Sequence, residues 1–132
     1  MLQTLSMQEQ IEQDFFHAFN RRDITTMKNL YADDALVHSA EGPEYGPQSI
    51  EDIVNKWLQV FPDLKGTILH SSVEGDVVII HWKCEGTRAK LCNENSNAGN
   101  RVSFHGLTCF RCKNGKVVEH WASVDYRPIE LF

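Results

Sequence analysis

No stretch of this sequence stays apolar for long: the longest strictly aliphatic run is the four residues Val77 to Ile80, against the roughly 20 that a membrane-spanning helix needs. A membrane is therefore not an expected partner. The opening MLQTLSMQEQ lacks the basic and apolar regions of a signal peptide, so the chain is expected in the cytoplasm. Positive charge is also scarce. Thirteen Lys and Arg against 18 Asp and Glu leave a net charge of -5, and the basic residues, among them Arg21, Lys56, Arg88, Arg111 and Lys116, are scattered. With no basic patch to track a phosphate backbone, nucleic acid is excluded from the expected partners.

Cysteine is limited to Cys84, Cys92, Cys109 and Cys112. Cys109 and Cys112 have C-x-x-C spacing, but residues three apart on a strand point to opposite faces, and no second C-x-x-C or H-x-x-x-H follows. The expectation is reduced structural thiols in a reducing compartment, with no metal and no cofactor.

What is present is material for one domain: 132 residues, 42% of them hydrophobic. The first half has helical periodicity and the second half reads as strands, the pattern of an α+β domain with helices packed on one sheet. Ile11, Phe15, Ala18 and Phe19 form one stripe. Asp23 can cap a second short helix carrying Ile24, Met27, Leu30 and Tyr31. ALVHSA, 35 to 40, reads as a short strand or extended link, and EGPEYGP, 41 to 47, as a loop. A third helix carries Ile50, Ile53, Val54, Trp57, Leu58 and Phe61 and must end before Pro62. Strands are expected at about 66 to 74, 76 to 87, 101 to 112 and 116 to 126. The asparagine-rich stretch 89 to 100 reads as a long, mobile loop.

The last two strands meet at Asn114-Gly115, a strong hairpin signal. With those two as the loop, Lys113 pairs with Lys116, and the register places Phe110 opposite Glu119, Thr108 opposite Trp121, Gly106 opposite Ser123 and Phe104 opposite Asp125 on one face. Val117, Phe110, Trp121 and Phe104 then form an apolar wall into which Thr108, Ser123 and Asp125 are set. An apolar wall with a few convergent polar groups is the usual form of a small-molecule site. The same residues also fit a plainer arrangement, with Trp121 in the core and Asp125 in water at a frayed strand end. A single bulge would reverse the faces and bring His105 inward.

Six segments taken together resemble the SnoaL-like polyketide cyclase (ester cyclase) family of the NTF2-like superfamily, nearly end to end. FFHAFNRRDITTMKNLYADDALVH resembles its opening helices and first strand, and YGPQSIEDIVNKWLQVFPDLKGTI its third helix closed by F-P-D. EGDVVIIHWKCEGT resembles its G-D-V strand, and Arg111, Gly115, Val117, Glu119, Trp121 and Asp125 fit its R...G-K-I-x-E-x-W...D hairpin. After Gly86-Thr87 the chain departs from the pattern: many members continue with a histidine and a proline-containing glycine-rich loop, where this chain has Arg88, Ala89 and Lys90.

The resemblance implies an NTF2-like cone: three N-terminal helices packed on a strongly curved, mainly antiparallel sheet that encloses a pocket, with residues 1–132 as a single domain. It also implies a homodimer formed through the outer sheet, and catalysis by the acid of the last strand, which is Asp125 here. Aldol-type ring closure or isomerisation needs a base beside a carbonyl and a donor for the enolate oxygen. His38 and, in a bulged hairpin, His105 are the donor candidates; His81 and His120 stay unassigned. Trp121, Phe104, Thr108, Trp57 and Tyr45 are the candidate contacts for a small hydrophobic carbonyl compound. An Asp-Arg-Asp hydrolase set built on Arg111 fits less well, because no second pocket acid is evident. Two other classes fit the same sequence: a non-catalytic module that binds a small ligand, and a dimerisation domain whose cone is filled by its own side chains.

Overall fold

The first two helices each open on a side-chain cap. The computed structural model describes residues 5–89 and 99–130. In α1 (Met7–Arg21) the Glu9 amide donates to Ser6 Oγ at 3.1 Å and the Ser6 amide to Glu9 Oε1 at 3.0 Å, a reciprocal cap. Asp23 accepts the Thr26 amide at 3.1 Å and opens α2 (Ile24–Asn29). The expected second stripe ran on through Tyr31. Instead α2 stops at Asn29, and Tyr31, 2% exposed, is the first residue of β1 (Tyr31–Ser39).

The segment expected as loop contains β2 (Gly42–Tyr45), which pairs with β1 from Leu36↔Tyr45 to Ser39↔Gly42. It is an edge strand, which is where a strand tolerates Pro43. α3 (Pro47–Val60) follows and ends at Phe61, just before Pro62. Then come β3 (Lys65–Glu74), β4 (Val77–Thr87), β5 (Arg101–Lys113), β6 (Lys116–Val124) and the short α4 (Arg127–Glu130).

The strands form one sheet in the order β2-β1-β6-β5-β4-β3, parallel only between β1 and β6. It curves but stays open, with β2 and β3 as its edges, and the helices pack on one face. Fully buried Phe61, Phe104, Phe110, Ile80 and Val117 form the core between the layers. Cys109 is part-exposed and Cys112 buried, on opposite faces as their spacing requires. Burial pushes the Cys84 thiol up to about 12 and Cys112 to about 11. Among the described residues no helix is long and apolar enough to cross a membrane. Most of the stretch expected as a long loop, with Cys92, lies outside the described residues.

The hairpin closes at Asn114 and Gly115, both at positive φ (53° and 77°), with Lys113↔Lys116 and Cys112↔Val117 paired as expected. Beyond that the expected register fails. Arg111 pairs with Glu119, leaving Val118 as an extra residue, and the shift continues through Phe110↔His120, Thr108↔Ala122 and Gly106↔Val124. Every β6 side chain after Val118 is thereby turned over. The straight register would have pointed two acids, Glu119 and Asp125, at the core. The bulged one turns both out and brings in one imidazole, which can be buried neutral at much lower cost than a carboxylate.

Candidate functional site

The inner face of the sheet and the helices above it enclose a cavity of about 110 Å³. α1 contributes Phe15, Phe16 and Phe19, and α3 contributes Ile53, Val54 and Trp57. From the sheet come Trp82, Phe104, Thr108, His120, Ala122 and Val124. Among the described residues the lining contains no Asp, Glu, Lys or Arg. Its polar groups come chiefly from Thr108 and His120. The Trp82 indole N–H is already used, donating to Thr108 Oγ1 at 2.8 Å.

His120 is 8% exposed, with Nδ1 2.8 Å from the Tyr31 hydroxyl and its ring stacked on Tyr31 at 5.9 Å. Burial pushes its pKa down to about 4, so the imidazole is neutral at physiological pH. Burial also holds the Tyr31 phenol well above its ordinary value, so it keeps its proton. Trp57, which lines the cavity, is stacked on Phe104 at 5.2 Å and on Tyr126 at 6.2 Å.

Of the residues expected at the site, Phe104, Thr108 and Trp57 line this cavity together. Asp125, His38, His105, Trp121 and Tyr45 do not. Trp121 is turned to the outer face by the bulge, 37% exposed and stacked on His38 at 5.2 Å. His38 Nε2 is 2.8 Å from Glu119 Oε2, and Glu119 also accepts from Arg111, so the three form an outer-face network that lowers the Glu119 pKa. Tyr45, 69% exposed on the edge strand, is away from the cavity.

Asp125 also lies outside it. Its amide continues the ladder to the His105 carbonyl at 3.0 Å, and its carboxylate accepts from Arg127 Nε at 2.9 Å and Nη2 at 2.7 Å. Those bonds hold its pKa down, to about 2. It borders an open cleft of about 340 Å³ on the outer face with His81 and His105, whose facing ring nitrogens are 3.4 Å apart. The inward turn of His105 considered for a bulged hairpin does not occur, because the extra residue is on β6 and β5 keeps its alternation.

The residues missed by pattern are His120, Tyr31 and Ala122. The signal that could have found them was the pair of acids that a straight register buries.

An open, curved sheet of six strands with helices packed on it, an α+β arrangement, defines the structural class. Residues 10–131 match the SnoaL-like polyketide cyclase family model, and the chain belongs to that family. Its fold is similar to that of AclR from Streptomyces galilaeus, at 25% identity and TM-score 0.83, over 96% of this chain and 81% of that one. It is also similar to IdmH from Streptomyces antibioticus (23%, TM-score 0.82, 92% and 94%). A SnoaL-like polyketide cyclase from Agrobacterium tumefaciens C58 superposes as well (16%, TM-score 0.79, 97% and 98%). No curated protein matches the chain.

Proposed function

We propose that this SnoaL-like protein binds one small, largely apolar ring compound in the cavity between α1, α3 and the sheet. The observation that carries this reading is the lining: aromatic and aliphatic on all sides, with the side chains of Thr108 and His120 as its main polar features. Size limits the ligand. Dry cavities of roughly 150 Å³ admit benzene, and typical small-molecule sites run to roughly 300–1,000 Å³, so about 110 Å³ leaves room inside for at most a single small ring. Trp57 in the lining and the exposed Tyr126 stacked on it offer flat surfaces for any part that protrudes.

The test is a titration with monocyclic probes followed by NMR, on the wild type and on Ala122→Leu, which fills the cavity from the sheet side. Shifts at cavity residues in the wild type that vanish in Ala122→Leu support the reading. Binding unaffected by the substitution, or no binding of any probe, sinks it.

The cyclase or isomerase reading with Asp125 as acid/base has one supporting observation: Asp125 directly follows Val124, which lines the cavity. Weighing against it are the outward side chain and its clamp by Arg127. In that reading Asp125→Asn abolishes turnover of an enolisable ring ketone; in ours it leaves cavity binding unchanged. The outer face carries the homodimer reading. Ile79, Leu107 and Trp121 are exposed there on three adjacent strands, an apolar band a second copy would cover.

A further inference from the structure

The cavity's polar side chains are already partly committed, and what remains of each defines what the site can recognise. Tyr31 has one hydroxyl hydrogen, and among the described residues its hydroxyl meets only Nδ1 of His120. Were the imidazole hydrogen on Nδ1, the phenol would accept it, and the phenolic hydrogen would be stranded in the core without an acceptor. Buried hydroxyls are seldom left so. With Tyr31 donating to Nδ1, both groups are satisfied, and the imidazole hydrogen moves to Nε2. The bond to Tyr31 through Nδ1 is the one side-chain hydrogen bond of His120 among the described residues, and His120 lines the cavity.

Thr108 repeats the logic: its Oγ1 accepts from Trp82, leaving its own hydrogen to donate. Thr108 pairs with Ala122 and Phe110 with His120, so Thr108 and His120 are diagonal neighbours on the inner face.

We infer that the cavity is a donor site for an acceptor oxygen, with His120 Nε2–H and Thr108 Oγ1–H as the recognising groups, Tyr31 as the positioning residue, and a small cyclic carbonyl compound as the ligand class. This rests on the cavity-binding reading above and deepens it. A hydroxyl that must donate finds no carboxylate in the lining, whereas a carbonyl oxygen is matched. Neutral imidazoles of lowered pKa are known to polarise carbonyls in this way, the handling of the substrate carbonyl in triosephosphate isomerase being the general example.

The test compares cyclohexanone with methylenecyclohexane, which has the same shape and no acceptor oxygen, by the ratio of their dissociation constants. His120→Leu and Thr108→Val should each shift that ratio about 5-fold against the ketone, as expected for one lost neutral hydrogen bond. Long-range nitrogen NMR of the ligand-free wild type should show His120 as the Nε2–H tautomer, and Tyr31→Phe should relax it to a mixture. An unchanged ratio in both variants, or an Nδ1–H tautomer in the wild type, overturns the donor assignment while leaving the cavity reading in place. Failure of both compounds to bind overturns the cavity reading and this inference with it. The wild-type spectrum decides the tautomer even where a variant does not fold.

Discussion

Replacing Gly106 with alanine tests how the inner face is assembled. Trp82 lies across Gly106, its partner in the β4–β5 ladder. A methyl group there would stand 2.2 Å from the indole Cζ2, 2.5 Å from Cη2 and 2.8 Å from the Ser123 carbonyl oxygen. The carbonyl belongs to the backbone and cannot step aside, so the indole must move. Moving it breaks the 2.8 Å bond from Trp82 to Thr108. Overpacking of this kind costs about 1–3 kcal/mol and a lost buried hydrogen bond about 0.5–1.5 kcal/mol, so Gly106→Ala should destabilise by ~2–4 kcal/mol. At about 2.1 cal/mol/K of unfolding entropy per residue, a 132-residue chain then melts roughly 7–14 °C lower. Calorimetry gives the melting temperature, and near-ultraviolet circular dichroism reports the indole. Gly75→Ala is the control, because φ is +62° but nothing lies within 4 Å of the added carbon. It should cost about 1–2 kcal/mol of backbone strain and leave the tryptophan signal alone. A Gly106→Ala protein that melts within about 3 °C of the wild type with an unchanged aromatic spectrum would refute this account of the packing.

The folded pKa of His120, about 4, lies below the ordinary 6.5, so between those values the unfolded chain binds more protons and stability falls as pH drops through that window. Urea unfolding across it should show the slope in the wild type and lose it in His120→Leu. Glu12 is 4% exposed with Oε2 unpartnered, and burial raises its pKa, so its contribution worsens as pH rises through 4.5. Glu12→Gln should therefore unfold at higher denaturant than the wild type at neutral pH, with the gap closing in acid. Leu107→Asp, placing a charge at a side chain 49% exposed on the outer sheet, should convert the proposed dimer to monomer in light scattering without lowering the melting temperature of the monomer. Asp125→Asn should leave ligand shifts at the cavity unchanged, and the wild-type carboxyl, titrated by NMR, should stay ionised down to about pH 2.

The architecture was largely legible because its signals are local. Asp23 caps, Pro62 stops α3, and Asn114-Gly115 turns, each needing only its neighbours. The strand β2 was not, since its Gly-Pro composition reads as loop and only its pairing to β1 makes it a strand. The site was legible up to Val117 and reversed after Val118. Alternation carries no mark of an inserted residue, and VEHWASVD alternates plausibly in either phase. What decides between the phases is tertiary: Arg111 and His38 wait on the outer face for Glu119, and Tyr31 waits inside for His120. Phe104 and Thr108 were found because β5 itself keeps its register, and Trp57 because its helical stripe faces the sheet.

The extra residue at Val118 also means that inside and outside on β6 are separated by a one-residue slip in pairing. Pairing Val118 with Arg111 instead of bulging it would exchange His120, Ala122 and Val124 for Trp121, Ser123 and Asp125 on the inner face, replacing a neutral site by one that holds a carboxylate, whereas deleting Val118 would remove the bulge and leave the inner face as it is. The second arrangement needs no change in chain length, only the loss of the bulge. Members of this fold that pair this hairpin without the bulge would then differ in chemistry more than their overall similarity implies.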